Sequence, residues 1–144
     1  MKCLDFKDHK CSTCGSDRIV VAQENKRTYR LQNRSGRLIC KLRVDACLVT
    51  EGKRCDFIII DCEAEDVFLI ELKGNKLIHG LEQLDATFER FRNRFQGRVY
   101  ARIILSRVSV PNLANEPAML KLQRKIKQTG GDLRTSTRLF EEIL

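Results

Sequence analysis

The sequence predicts an α/β fold, a mixed β-sheet covered by helices, and three observations predict it. Two short continuous apolar runs, Phe57-Ile58-Ile59-Ile60 and Val67-Phe68-Leu69-Ile70, flank the acidic stretch from Asp61 to Asp66. Beyond Leu77 the apolar period lengthens to three and four residues. A further apolar run, Val99 to Leu105, then precedes a basic segment that opens with a proline. At 144 residues the chain can bury one core of ordinary size, so a single domain spanning 1–144 is expected. Apolar residues at 42% against charged residues at 32% exclude a disordered chain.

Taken in order, residues 1–26 read as a cysteine-containing N-terminal extension. Arg27 to Thr50 carries Tyr29-Arg30-Leu31 and then Leu38 to Val49, separated by the turn-like Asn33-Arg34-Ser35-Gly36, and is expected to form a strand pair. The runs 57–60 and 67–70 are continuous rather than alternating in apolarity, which is the pattern of strands buried on both faces. Leu77, Leu81, Leu84, Phe88, Phe91 and Phe95 line one helix face. After Gly97 a strand is expected over Val99 to Leu105. Asn115-Glu116-Pro117 has the form of a helix start, so a basic helix is expected from Pro117 to Gln128. Gly130-Gly131 should stop it, leaving a short strand near Leu133 and a C-terminal helical turn.

Lys and Arg total 27 against 19 Asp and Glu, a formal charge of +8, and the positive residues are densest after residue 86. A polyanionic partner is the natural reading, although a basic surface also serves solubility. The first fourteen residues carry no apolar signal core, and no stretch approaches the roughly 20 apolar residues of a membrane span. A soluble, cytoplasmic protein with no membrane partner is therefore expected. Seven cysteines, an odd count with no secretory signal, predict reduced thiols or metal ligands in place of a disulfide framework.

The apolar runs also place chemistry. A hairpin closed symmetrically about the Glu63-Ala64 bond sets Ile60 opposite Val67 and Asp56 opposite Glu71. Cross-strand Cβ atoms lie about 4.5 to 5.5 Å apart, and Lys73, two residues on, points to the same face. Two carboxylates that close repel unless a cation lies between them, and Mg²⁺ or Mn²⁺ suits a site with few protein oxygens. Such an ion would polarise a phosphodiester and help deprotonate water, while Lys73 would orient that water or offset developing charge.

Arg54-Cys55-Asp56-Phe57-Ile58-Ile59-Ile60 and Phe68-Leu69-Ile70-Glu71-Leu72-Lys73-Gly74, followed by an amphipathic helix and another strand, resemble the core of the PD-(D/E)XK nuclease superfamily. The resemblance covers about Val44 to Leu105. It implies a restriction-endonuclease-like mixed sheet flanked by helices, Asp56 and Glu71 as metal ligands, Lys73 as the catalytic lysine, and DNA before RNA as substrate. Cys55 stands where the superfamily's name has proline. The superfamily's upstream acidic residue has two candidates here, Glu24 and Asp45. If Val49 pairs with Arg54 across residues 50–53, Cys47 faces Asp56 and Asp45 lies diagonally beyond it, which favours Asp45. Several branches use a glutamine on the following helix, which makes Gln83 a candidate, with His79 one turn before it.

Cys11-Ser12-Thr13-Cys14-Gly15 has the form of half a zinc knuckle, so Cys11 and Cys14 are candidate Zn²⁺ ligands, with Cys3, His9, Cys40 or Cys47 available to complete a site. Cys47, Cys55 and Cys62 fall in or beside strands, where a cysteine acts as a small apolar residue. Arg92, Arg94, Lys121, Arg124 and Lys125 are candidate phosphate contacts, while Phe91 and Phe95 fit the core stripe. The functional expectation is a metal-dependent nuclease. Its rival is a catalytically silent nucleic-acid-binding module, zinc-stabilised, and a second copy of the chain is a further candidate partner.

Overall fold

A computed structural model describes residues 1–107 and 115–144. Among these residues the chain forms nine strands in two mixed sheets and two α-helices. In chain order the elements are β1 (Ser12–Gly15), β2 (Ile19–Glu24), β3 (Arg27–Gln32), β4 (Ile39–Arg43), β5 (Phe57–Asp61), β6 (Val67–Lys73), α1 (Leu77–Phe91), β7 (Val99–Leu105), α2 (Pro117–Gln128), β8 (Leu133–Thr137) and β9 (Leu139–Ile143). The central sheet has the order β1-β4-β5-β6-β7-β8, antiparallel up to β6 and parallel beyond it.

The two faces of this sheet are covered differently. Ile58, Ile60, Val67, Leu69, Val99, Ala101 and Ile103 pack against Leu77, Leu81, Leu84 and Phe88 of α1 and Met119, Leu122 and Ile126 of α2. Both helices lie on that face because β6-α1-β7 and β7-α2-β8 are successive parallel crossovers of one hand. Ile59, Phe68, Ile70, Leu72 and Ile104 point the other way and meet Ala22, Tyr29 and Leu31. These belong to a second sheet, ordered β2-β3-β9. The continuous apolarity of β5 and β6 thus follows from burial on both faces, as expected, but helices cover only one of them.

Three local expectations are corrected. β3 does not pair with β4. It pairs with β2 across Asn25 and Lys26, whose φ values of 44° and 67° make the two-residue turn that matches strand twist. Residues 44–49 do not extend β4 either. The Val49 amide returns to the Val44 carbonyl (2.9 Å) and Ala46 takes φ 57°, so Val44, not Cys47, meets Asp56. The C-terminus forms no helical turn, because β9 runs parallel to β3 as the third strand of the small sheet. Residues 1–26, read as an extension, supply β1 to one sheet and the whole of β2 to the other.

A buried ion network joins the two sheets. Arg102, 2% exposed on β7, donates from Nε and Nη2 to both carboxylate oxygens of Glu142 (3.0 Å each), and the Tyr29 hydroxyl donates to Glu142 Oε1 (2.6 Å). Asp132 lies 2.8 Å from Arg102 Nη1. The guanidinium is therefore paired on two sides, which is the condition for a charge to sit in a core.

The cysteines depart from the expectation of thiols. Disulfides join Cys3 to Cys62, Cys11 to Cys47 and Cys14 to Cys40, and only buried Cys55 is free. The physical reason is strand pairing: Cys14 stands directly opposite Cys40 in the β1–β4 ladder, a proximity that no sequence spacing announces. Burial pushes the Cys55 thiol well above its ordinary range, so it is inert packing. Among the described residues no helix is long and apolar enough to cross a membrane.

Candidate active site

The β5–β6 hairpin has the register expected from its symmetry. Ile60 faces Val67 and Phe57 faces Ile70, so the next pair outward is Asp56 with Glu71. Two backbone contacts fix it: the Asp56 amide donates to the Ile70 carbonyl (3.1 Å), and the Leu72 amide donates to Asp56 Oδ2 (2.7 Å). The second oxygen of Asp56 takes no protein hydrogen bond among the described residues. Glu71 is 1% exposed, and its Oε2 is buried with no partner among them. Lys73 follows on the same face of β6, half-buried.

Helix α1 crosses close over this pair at Gly80. A Cβ placed there would lie 3.5 Å from Glu71 Cγ and 3.5 Å from Lys73 Cβ, so an alanine would fit in ordinary contact but a longer side chain would not. Farther along α1, Gln83 Oε1 accepts from the Arg54 amide (3.1 Å) and Thr87 Oγ1 accepts from the Cys55 amide (2.7 Å). The helix thereby holds the backbone that leads into Asp56. Gln83 joins the site, as the sequence suggested, but it holds main chain and is not placed as a ligand. His79 is exposed.

The two candidates for the upstream acid both reach the site. A cleft of ≈ 300 Å³ is lined by Gln23, Glu24, Arg43, Asp45, Asp56 and Phe57. Asp45 arrives by a route other than the one expected, on the 44–49 loop, with its carboxylate accepting from Arg54 Nε (2.8 Å). Cys11–Cys47 ties that loop to the start of β1.

The carboxyl groups of this cluster are held in their protonated forms above the ordinary range. Burial, then the Asp56 charge, pushes the Glu71 carboxyl up to about 9, with Glu24 and Asp45 adding to the rise and Lys73 opposing it. Asp56 is pushed up to about 6, chiefly by burial, against the pull of the Leu72 amide and Lys73. Four carboxylates therefore sense one another, with Lys73 beside Asp56 and Glu71, Arg54 paired to Asp45 and Arg43 in the cleft wall. Carboxyl groups held this way give up their protons to a hard cation more readily than to bulk water.

The candidate phosphate contacts are scattered. Arg92 pairs with Glu89 (3.3 Å) and Arg94 with Asp5 (3.1 Å). Both follow the C-terminal end of α1, and a 15-residue helix is about 22 Å long, which sets them at the far end of the sheet from Lys73. Lys125 is committed to Asp85 (2.7 Å) and Glu89 (2.8 Å), linking α2 to α1, so it is not available as proposed from sequence. Lys121 and Arg124 are exposed on α2.

Other cations lie nearer the carboxylates. Arg27 donates to Ser106 Oγ (2.9 Å), and the Ser106 amide donates to the Gly74 carbonyl (2.7 Å), at the end of β6 that carries Lys73. Asn25, Lys26, Ser106 and Arg138 line a hollow beside them. Sequence reading missed these residues because the signal was the Asn25-Lys26 turn, passed over as a polar stretch.

Cys11 and Cys14, paired in sequence as zinc ligands, enter separate disulfides. The chain matches no family model, no curated protein and no solved structure. The class of the protein therefore rests on the geometry of the site.

Proposed function

We propose that this protein is a metal-dependent phosphodiesterase that cleaves nucleic acid, DNA in preference to RNA. The observation that carries the reading is the buried Glu71 carboxylate, with one unpartnered oxygen, set against Asp56 at the rim of a polar cleft. Asp56 and Glu71 would hold Mg²⁺ or Mn²⁺, with Asp45 or Glu24 contributing through water. The donor set fits: two hard carboxylate ligands with room for water is how such ions are commonly held.

When bound, the ion would supply Lewis acidity and neutralise charge on the phosphate. The chain's own groups do the rest. Lys73 offsets negative charge developing on the transferred phosphoryl and orients the attacking water. Asp45 and Glu24 accept hydrogen bonds from that water's shell, and Gln83 and Thr87 keep Asp56 in place. Lys26, Arg27 and Arg138 carry the approaching backbone by contacts to phosphate oxygens. Three disulfides suit an oxidising compartment, so we place the disulfide-bonded form there and not in a reducing cytoplasm.

The test is cleavage of labelled single- and double-stranded DNA and RNA with Mg²⁺, with Mn²⁺ and with chelator. Asp56→Asn, Glu71→Gln and Lys73→Met should each lower cleavage on the order of a hundredfold or more. Binding in chelator should survive in the two carboxylate variants, because affinity comes from cations on phosphates. A Glu71→Gln protein that cuts as fast as the wild type would overturn the assignment. Binding without cleavage across all metals would favour the silent module.

A further inference from the structure

At the opposite end of the β5–β6 hairpin four sulfurs meet. Cys62 follows β5, and the Sγ atoms of Cys3, Cys40 and Cys62 all lie within 4.8 Å of one another. Cys40 Sγ is 3.9 Å from Cys62 Sγ, although the two belong to different disulfides. Cys14, bonded to Cys40, brings the fourth sulfur. They come from four places in the chain: the N-terminal turn, β1, β4 and the residue after β5. A hollow of ≈ 590 Å³ lined by all four cysteines, with Lys2, Lys7, Asp8 and Glu65 around them, gives access to the sulfurs.

We propose that Cys3, Cys14, Cys40 and Cys62 form a tetrathiolate zinc site when the chain is reduced, and that the two disulfides are the oxidised form of that site. Zn–S bonds of about 2.3 Å in a tetrahedron require sulfur–sulfur edges of about 3.8 Å. The Cys40–Cys62 separation is already that edge. Reduction of the two disulfides then lets the remaining sulfurs spread around a central ion, with no strand required to change register.

The chemistry balances with a small-molecule thiol as reductant. Four equivalents break the two protein S–S bonds, giving four protein thiols and two small-molecule disulfides. Zn²⁺ then replaces the four thiol protons, which pass to solvent, and four Zn–S bonds form. Either state ties the N-terminal turn and β1 to the sheet, so the segment stays docked in oxidising and reducing surroundings. The site is structural and separate from the carboxylates: the six-residue step from Asp56 to Cys62 along β5 spans about 20 Å.

Full-length protein reduced with a phosphine should bind Co²⁺ with the intense visible bands of tetrahedral thiolate coordination, saturating at one thiolate-bound ion per chain, and Zn²⁺ should abolish those bands. Thiol alkylation mapped by mass spectrometry should show zinc protecting Cys3, Cys14, Cys40 and Cys62, with chelator lifting the protection and Cys47 reacting in both states. Cys62→Ser should weaken zinc binding at the thiolates at least tenfold, while Cys47→Ser leaves it unchanged. Should Cys62→Ser fail to fold, the wild-type alkylation map decides alone. Absence of the cobalt bands, or protection falling on a different set of cysteines, would overturn the proposal.

Discussion

Glu71→Gln offers a test of the site that needs no substrate. Burial and the Asp56 charge lift the Glu71 carboxyl from its ordinary value of 4.5 to about 9. Between those values the folded chain keeps a proton that the unfolded chain has released, so ν in the unfolded state is smaller and stability falls as pH rises. Each pH unit of that interval is worth about 1.4 kcal/mol, so from pH 4.5 to 7 this group removes up to about 3 kcal/mol from the metal-free protein. Glutamine keeps the shape and cannot ionise. The variant should therefore keep only the loss that Asp56 imposes up to about pH 6, stay nearly level above it, and be the more stable protein at pH 7 to 8.

The assay is urea unfolding of wild type and variant at pH 5, 6, 7 and 8 in chelator, repeated with millimolar Mg²⁺. In the wild type Mg²⁺ should restore stability increasingly as pH rises, since the ion replaces a proton on Glu71 and, below about 6, on Asp56. In Glu71→Gln that gain should shrink sharply. Parallel pH curves for the two proteins in chelator, or equal stabilisation of both by Mg²⁺, would refute the argument that these carboxylates are a cation site.

Two further outcomes are expected elsewhere in the molecule. Arg102→Leu should cost about 1 to 3 kcal/mol by urea unfolding, because it leaves the partly buried Glu142 with only the Tyr29 hydroxyl as donor; a cost under about 1 kcal/mol would show that the network does not lock the two sheets together. Lys26→Ala with Arg138→Ala should weaken nucleic-acid binding and flatten its salt dependence, measured by fluorescence anisotropy across salt concentrations, whereas Arg92→Ala with Arg94→Ala, at the far end of the sheet, should do little.

The parts of the fold legible in the sequence were those fixed by local pattern. Phe57 to Ile60 and Val67 to Ile70 read as doubly buried strands because their neighbours on both faces are apolar, and the short acidic turn between them fixed the Asp56–Glu71 register. The Leu77 stripe and Asn115-Glu116-Pro117 likewise placed both helices, although α1 ends at Phe91 and Phe95 lies in extended chain past a 3₁₀ turn over Arg92–Arg94. What escaped was set by distant pairing. Nothing near Leu139 announces that it will lie parallel to Thr28, more than a hundred residues away. The same holds for the cysteines: Cys11-x-x-Cys14 invited one ion, but successive strand residues point to opposite faces, and that parity sends Cys14 to Cys40 and leaves Cys11 to find Cys47. Glu24 was visible as a polar residue, yet its place at the cleft depended on the Asn25-Lys26 turn folding β2 back against β3.

The way the site is held decides how its variants are to be read. Asp56 and Glu71 repel when both are ionised, so it is the chain and not their mutual interaction that imposes their positions. The Asp56 amide is fixed by the Ile70 carbonyl, the Arg54 and Cys55 amides by Gln83 and Thr87, and the Asp45 loop by the Val44–Val49 hydrogen bond and the Cys11–Cys47 disulfide. None of these contacts uses a carboxylate of Glu71, and only the Leu72 amide leans on Asp56. Replacing Glu71 by glutamine therefore leaves the cleft's backbone as it was and removes the proton uptake that folding of the metal-free chain requires above pH 4.5. A fall in cleavage accompanied by a rise in metal-free stability would then mean loss of the ion and not loss of the fold, and that opposite movement of two readouts is what a purely structural role for Glu71 cannot produce.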